Sequence, residues 1–135
     1  MLNLKKLLAN MLEKIVEHDN IGNVYVGNSA TIDLTANESA YVSGSECAEV
    51  PEGTYLVIAT GAFANTATEG ARRIQIYNKT ADSAIFTYAG YGARWLQQEA
   101  IYTVSVVEPT IFSCRLSSSV ALNNCVTGIR AIKLK

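Results

Sequence analysis

Aromatic side chains, two glycines and one arginine cluster between residues 88 and 95, in a chain with only 8% aromatic residues. Tyr, Trp and Arg are the residue types most enriched at binding hot spots. An aromatic ring can also stack on the apolar face of a sugar. The cluster therefore predicts a ligand-binding loop, unless these side chains fill the core or a subunit interface instead. The candidate ligand-binding residues are Tyr88, Tyr91, Arg94 and Trp95.

Residues that could do catalysis are sparse in this sequence. The single histidine, His18, has no assignable partners for a Ser-His-Asp triad, and one His with three scattered Cys lacks the spacing of a zinc site. Gly90 and Gly92 have no helix after them, so they do not form a dinucleotide-binding fingerprint. The sequence therefore predicts a non-enzymatic protein with no catalytic residues, no metal site and no cofactor. Dispersed carboxylates leave one alternative open, a glycan-active enzyme with two acids across a sugar.

The composition argues against charged partners. The chain has 135 residues, of which 49% are hydrophobic and 17% charged, against about 25% charged in an average domain. The 11 basic and 12 acidic residues give a net charge of −1 without a basic cluster, so no nucleic-acid binding is expected. No apolar run approaches the roughly 20 residues of a membrane span, so no membrane insertion is expected. A neutral surface suits contacts with other subunits or with saccharides.

The three cysteines, Cys47, Cys114 and Cys125, are odd in number and widely spaced. A single disulfide between Cys114 and Cys125 is compatible with the sequence but not required by it. Three reduced thiols that pack as small hydrophobic side chains are the simpler interpretation. Such thiols fit assembly in a reducing cytoplasm.

Residues 1–20 form the element that precedes the rest of the chain, and their apolar pattern is helical. The apolar positions alternate steps of three and four residues, as in a coiled-coil seam. An isolated helix this short is marginal in water, so it needs a partner. Either about three copies bundle around the seam, which the helix-stopping residues 19–23 favour, or the helix folds back on its own body. The seam residues are Leu4, Leu8, Met11 and Ile15.

Residues 21–135 form the second predicted unit, and their hydrophobic period changes to two. Some eight to ten short strands at regular spacing predict a sandwich, jelly roll or barrel. If a strand starts near residue 71, Arg72 and Arg73 point to opposite sheet faces. One of them is then expected to face solvent and the other to be buried with a carboxylate partner.

The order of parts in residues 50–135 resembles the jelly-roll heads of the tumour-necrosis-factor and complement globular-head superfamily, as found in phage tail and head fibres. The resemblance implies an all-β jelly-roll β-sandwich of roughly ten strands, preceded by a short α-helix. The segments that carry it are 50–57 (VPEGTYLV), 70–76 (GARRIQI), 101–107 (IYTVSVV), 112–116 (FSCRL) and 131–134 (AIKL).

The same resemblance implies a homotrimer that recognises rather than catalyses. The leading hypothesis is a phage or prophage structural protein of the virion, assembled in the bacterial cytoplasm. It would be a fibre or receptor-binding head whose partners are a bacterial surface saccharide or protein and other virion proteins. The alternative is a purely structural component, such as a capsid decoration or a tail spacer, with no external ligand.

Overall fold

The computed structural model describes residues 3–11, 21–64, 68–92 and 96–135. Within these residues it contains a short N-terminal helix, α1 (residues 4–11), and nine β-strands. The strands are β1 (Val24–Val26), β2 (Ala30–Leu34), β3 (Val42–Glu46), β4 (Gly53–Phe63), β5 (Gly70–Asn78), β6 (Ser83–Gly92), β7 (Leu96–Val106), β8 (Phe112–Ser118) and β9 (Leu122–Lys133).

Helix α1 begins with a side-chain cap and leaves its apolar side uncovered. Asn3 Oδ1 accepts a hydrogen bond from Lys6 N at 3.2 Å, which satisfies one of the free N–H groups of the first turn. Leu4, Leu8 and Met11 of the predicted seam are 52–62% exposed, and Leu7 beside them is 41% exposed. Ile15, the fourth seam residue, and His18 lie outside the described residues. The described turns of α1 therefore do not fold back on the β-body.

The strands form two antiparallel sheets with a nested pairing. β2 pairs with β9, β3 with β8, β4 with β7 and β5 with β6, so that the chain is one long hairpin wound into a sandwich. The five-stranded sheet has the order β1-β9-β4-β7 with β2 also on β9, and the four-stranded sheet has the order β3-β8-β5-β6. This arrangement is a jelly roll, as predicted, with nine strands rather than ten in the described part.

Alternation along the strands places the core between the two sheets. In β4, every second residue from Tyr55 to Phe63 is buried, and the residues that alternate with them are partly exposed. Edge-on ring contacts hold the middle of the core, because the Tyr55 ring lies 6.0 Å from Tyr25 and 6.2 Å from Phe112 between centroids. The two sheets thus share one hydrophobic core.

All three cysteines are free and buried in this core. The structure therefore agrees with three reduced thiols rather than with a Cys114–Cys125 disulfide. Burial raises the pKa of the Cys114 thiol to about 12, which keeps that side chain protonated and apolar in character. In the described part of the chain, no helix is long and apolar enough to cross a membrane.

Candidate functional site

A surface cleft of about 380 Å³ opens between the edge strands β6 and β7, where the two sheets meet. We call it the β6–β7 cleft. It gathers two tyrosines from β6 and a run of amide and carboxylate side chains from β7. The residues that line it are Tyr88, Gly90, Tyr91, Gln97, Gln98 and Glu99.

Two of the four predicted ligand-binding residues, Tyr88 and Tyr91, line this cleft. They are 48% and 71% exposed, although both are large aromatic side chains. They belong to a strand rather than to the predicted loop, since β6 continues in register with β5 to Gly92. Arg94 and Trp95, the other two candidates, lie outside the described residues. The core-filling alternative does not apply to Tyr91, which is mostly exposed.

The floor of the cleft is a buried amide that ties the two sheets together. Gln98 on β7 is only 6% exposed. With its amide oriented to satisfy both ends, Gln98 Nε2 donates to Arg72 O at 3.2 Å and Oε1 accepts from Gly90 N at 3.1 Å. A Cβ on Gly90 would overlap the Gln98 amide, so this position requires glycine. The glycine in the aromatic cluster thus makes room for a side chain from the opposite sheet.

The β7 wall of the cleft supplies polar groups that the sequence analysis did not select. Gln97 and Glu99 are exposed on either side of buried Gln98, so that β7 presents an amide and a carboxylate beside the tyrosines. An amide can donate a hydrogen bond to a hydroxyl group, and amide and carboxylate oxygens can accept one from it. The only signal in the sequence was a polar run, residues 97–99, just before the apolar half of the strand.

A second depression adjoins the cleft across β7. It has a volume of about 300 Å³, lies on the five-stranded sheet and shares residues 97–99 with the β6–β7 cleft. Its floor is open because Gly128 has no side chain, and a Cβ there would come within 2.7 Å of Thr60 Oγ1. Hydroxyl groups of Ser29 and Thr60 add to its polar lining. The polar end of β7 is therefore accessible from both sides.

The adjacent arginines on β5 point in opposite directions, as the alternation predicts, but their partners differ from the prediction. Arg72 is fully buried, and its guanidinium donates to backbone carbonyls, of Ala71 at 3.4 Å and Thr68 at 3.5 Å, with no carboxylate partner among the described residues. Desolvation lowers the pKa of Arg72. The carboxylate partner belongs instead to the partly exposed Arg73, which pairs with Glu38 at 3.4 Å. The long Arg72 side chain reaches backbone oxygens near the strand end, which sequence alternation could not reveal.

The described residues give no support for a metal centre. Nowhere among them do three or more His, Cys, Asp or Glu side chains come close enough to hold an ion. What the β6–β7 cleft offers is hydrogen bonding and ring stacking, which are the chemistry of binding.

Solved structures share this fold at low sequence identity. The structure described as "PRD1 vertex protein P5" superimposes with a TM-score of 0.56 over 84% of this chain and 100% of that chain, at 17% identity. The structure of infectious bursal disease virus, Gx strain, gives a TM-score of 0.51 over 82% of this chain and 33% of that chain, at 10% identity. No protein-family model matches the sequence, and no curated protein matches it significantly. At these identities the likeness establishes the fold alone.

Proposed function

We propose that this chain is a non-enzymatic structural protein of a virus particle, a homotrimeric fibre or receptor-binding head of a phage or prophage. Two structural neighbours support the virion role, since one is described as a vertex protein and the other belongs to a virus. The tumour-necrosis-factor-like subtype of jelly roll remains a prediction from sequence. One observation supports self-assembly most directly, an uncovered apolar surface on the five-stranded sheet.

This surface, the outer apolar face, consists of side chains that point away from the core in two neighbouring cross-strand rows. Val24, Ile132 and Leu56 are register partners in the first row, and the second row includes Val26, Ile58 and Ile101. Val24, Val26 and Ile101 are 51–62% exposed. Contiguous apolar patches of this kind mark interaction sites on soluble proteins. A second copy of the chain would remove this face from water.

Charge on the same sheet also suits contact between copies. Arg130 lies within the second row and Glu99 lies one row further along β7, and both are exposed. Neither forms an ion pair within the described part of the chain. In a closed symmetric assembly, the arginine of one copy can meet the glutamate of the next. The apolar side chains and the opposite charges of this face favour contact with other copies of the chain over binding of a strongly charged partner.

Solution mass by light scattering tests the assembly, using Ile101→Asp as the disrupting change and Val107→Asp as its control. Val107 is 88% exposed and lies beyond the end of β7, off the outer apolar face. We expect a trimer for the original chain and for Val107→Asp, and a loss of trimer for Ile101→Asp, because a buried carboxylate is costly. A monomer for the original chain at micromolar concentration would refute the proposal.

Recognition of a bacterial surface saccharide or protein is the second part of the proposal, and the exposed tyrosines of the β6–β7 cleft support it. Whole-cell binding should fall for Tyr91→Ala and Trp95→Ala, while Val107→Ala should bind like the original chain. A trimer would present the cleft three times, so weak contacts add up by avidity. Unchanged binding in both variants would favour the purely structural alternative, a capsid decoration or tail spacer. Turnover of a polysaccharide in a product assay would favour the glycan-active enzyme instead.

A further inference from the structure

The outer face of the four-stranded sheet holds an arginine stacked against two tyrosines, at a distance from the β6–β7 cleft. Arg115 lies on the central strand β8 and points outward, because its neighbours Cys114 and Leu116 are fully buried in the core. Its guanidinium carbon is 4.2 Å from the ring centroid of Tyr77 and 5.4 Å from that of Tyr41. We call these three side chains the Tyr41–Arg115–Tyr77 stack.

The strand register places the two rings on either side of the arginine. Tyr77 on β5 pairs with Ser113, two residues before Arg115. Tyr41 directly precedes Val42, which pairs with Leu116, one residue after Arg115. Cation–π contacts occupy the flat surface of a guanidinium and leave its N–H edge free for a planar, two-pronged partner. Tyr77 is itself fixed, since its hydroxyl donates to Asp82 Oδ1.

Two carboxylates near the stack, Glu38 and Glu46, are engaged with other cations, and a third, Asp82, accepts the hydrogen bond from the Tyr77 hydroxyl. Glu38 pairs with Arg73, whose pKa is raised by a hydrogen bond with the Tyr41 side chain and by Glu38. Glu46 pairs with Lys79 at 2.9 Å. Among the described residues, no carboxylate lies within ion-pair distance of Arg115. The stack therefore holds a positioned guanidinium whose charge is not balanced by a direct partner.

Unused hydrogen-bonding groups lie beside this guanidinium. Arg115 Nε, Gln75 Oε1 and Ser113 Oγ are shielded from solvent and have no hydrogen-bond partner among the described residues. Gln75 is the register partner of Arg115 on β5, and Ser113 lies two residues before it on β8. Of the Arg115 guanidinium only Nε is shielded in this way, so its terminal N–H groups are the part that a ligand at the surface can reach.

We propose that the Tyr41–Arg115–Tyr77 stack is a binding site for the carboxylate of an acidic saccharide, such as a hexuronic acid unit. A guanidinium edge matches a carboxylate in two parallel hydrogen bonds, and the flanking tyrosines can contact a sugar ring. A protein partner is less suited to this face, because its exposed large apolar residues are tyrosines, which can stack on sugar rings, whereas the exposed aliphatic residues of the described chain lie off this sheet. The inference rests on the proposed function in taking a surface saccharide as the ligand.

Sheet geometry allows one polymer to reach both sites. Arg115 on β8 pairs with Gln75 on β5, and Gln75 pairs with Thr87 on β6, so Thr87 lies two strands away from Arg115. Tyr91 lies four residues further along β6. With strands about 4.8 Å apart and about 3.3 Å per residue, the two Cα atoms are about 16 Å apart. An acidic oligosaccharide could therefore run from the stack to the tyrosines of the β6–β7 cleft.

Calorimetric titration of the full chain with tetragalacturonate tests the site, with the fully methyl-esterified tetramer as the neutral probe. We expect binding of the acid form only. Arg115→Gln should weaken it at least tenfold, the loss of about one charge-assisted hydrogen bond. Arg115→Lys should also weaken it, because an ammonium lacks the two-pronged edge. Lys135→Gln removes the same charge at an exposed position off this sheet and should have little effect.

Several outcomes would overturn the inference. The first is equal binding of tetragalacturonate and its methyl ester, and the second is undiminished binding of tetragalacturonate by Arg115→Gln. The third is a preference for oligoglutamate that depends on Arg115, which would make the ligand a protein. If Arg115→Gln proves unfolded by circular dichroism, Arg115→Lys decides the matter. The titration does not depend on assembly or cell binding, so a monomer by light scattering would refute the proposed function while the saccharide site could still bind. Conversely, a trimeric chain that binds cells but not tetragalacturonate refutes the site alone.

Discussion

At the scale of single residues, the absence of a side chain at Gly90 allows the Gln98 amide to form the floor of the β6–β7 cleft. The Gln98 amide enters the space that a Cβ on Gly90 would occupy, and its two ends bond to backbone atoms of β5 and β6. Gln98 thereby fixes the distance between the edges of the two sheets. The exposed residues on either side of it, Gln97 and Glu99, are held beside Tyr88 and Tyr91 as a result.

We predict that Gly90→Ala lowers the free energy of unfolding by about 1–3 kcal/mol, because the buried Gln98 amide must move and lose its partners. Gly92→Ala is the matched control on the same strand, since nothing lies within 4 Å of a Cβ there. Urea unfolding of both variants measures the difference. Equal stability of the two variants would show that Gln98 is not essential to the sheet contact.

The buried Cys114 thiol and Tyr55 hydroxyl lead to a second prediction, which concerns the stability of the fold at alkaline pH. Burial raises the pKa of Cys114 from 9.0 to about 12 and that of Tyr55 from 10.0 to about 12. Between these values the unfolded chain loses protons that the folded chain keeps, so these two groups do not change stability well below pH 9 and lower it as the pH rises towards 12. Cys114→Ala should make this fall shallower.

Denaturant unfolding of the original chain and of Cys114→Ala, measured at intervals from pH 7 to 11, gives the two slopes. The variant is expected to be less stable at pH 7 because it leaves a small cavity, so the comparison uses the change with pH and not the absolute value. Identical slopes for the two proteins would mean that the Cys114 thiol does not contribute.

At the scale of elements, the edge strands β6 and β7 differ most from their sequence-based description. The cluster of aromatic residues with two glycines predicted a loop at 88–95, yet β6 extends to Gly92. Pairing with β5 supplies the backbone hydrogen bonds, and strand preference depends on such neighbours more than on the residue itself. Between these two edge strands, Phe86 stacks on Tyr102 with ring centroids 5.0 Å apart, which helps to close the open edge of the sandwich.

Helix α1 leaves its apolar side chains uncovered by the rest of the described chain. Its apolar side chains are exposed, and a helix this short gains little stability alone. We predict that a chain lacking residues 1–20 remains trimeric but dissociates more readily on dilution, because the outer apolar face is retained and the seam is lost. Light scattering over a dilution series measures this. A truncated chain that is monomeric at every concentration would place assembly in the helix.

At the scale of the whole molecule, the two sheets divide the proposed tasks. The five-stranded sheet carries the outer apolar face for other copies of the chain, and the four-stranded sheet carries the arginine and tyrosine groups proposed for saccharide binding. A trimer closed through one sheet would leave the other free for ligands. Three copies of each site would then act together by avidity.

Assembly also makes a whole-molecule prediction about thermal stability. If only the trimer is the fully stabilised state, mass action raises the midpoint of thermal unfolding with protein concentration. We expect this dependence for the original chain and its absence for Ile101→Asp. Calorimetry from about 5 to about 200 μM measures it, and a midpoint that is independent of concentration in both proteins would contradict a dissociating trimer.

The amino-acid sequence by itself determined the local character of the chain, namely the short N-terminal helix, the change to a two-residue period and the alternate orientation of Arg72 and Arg73. These features depend on spacing along the chain, which the sequence contains directly. The tertiary structure alone decided the pairing of the first strand with the last, the loop residues that proved to be strand, and the meeting of Tyr88 and Tyr91 with Glu99. It also brought Arg115 between Tyr41 and Tyr77. Such groupings depend on which distant strands become neighbours, and that is settled by burial of the whole core rather than by any local pattern.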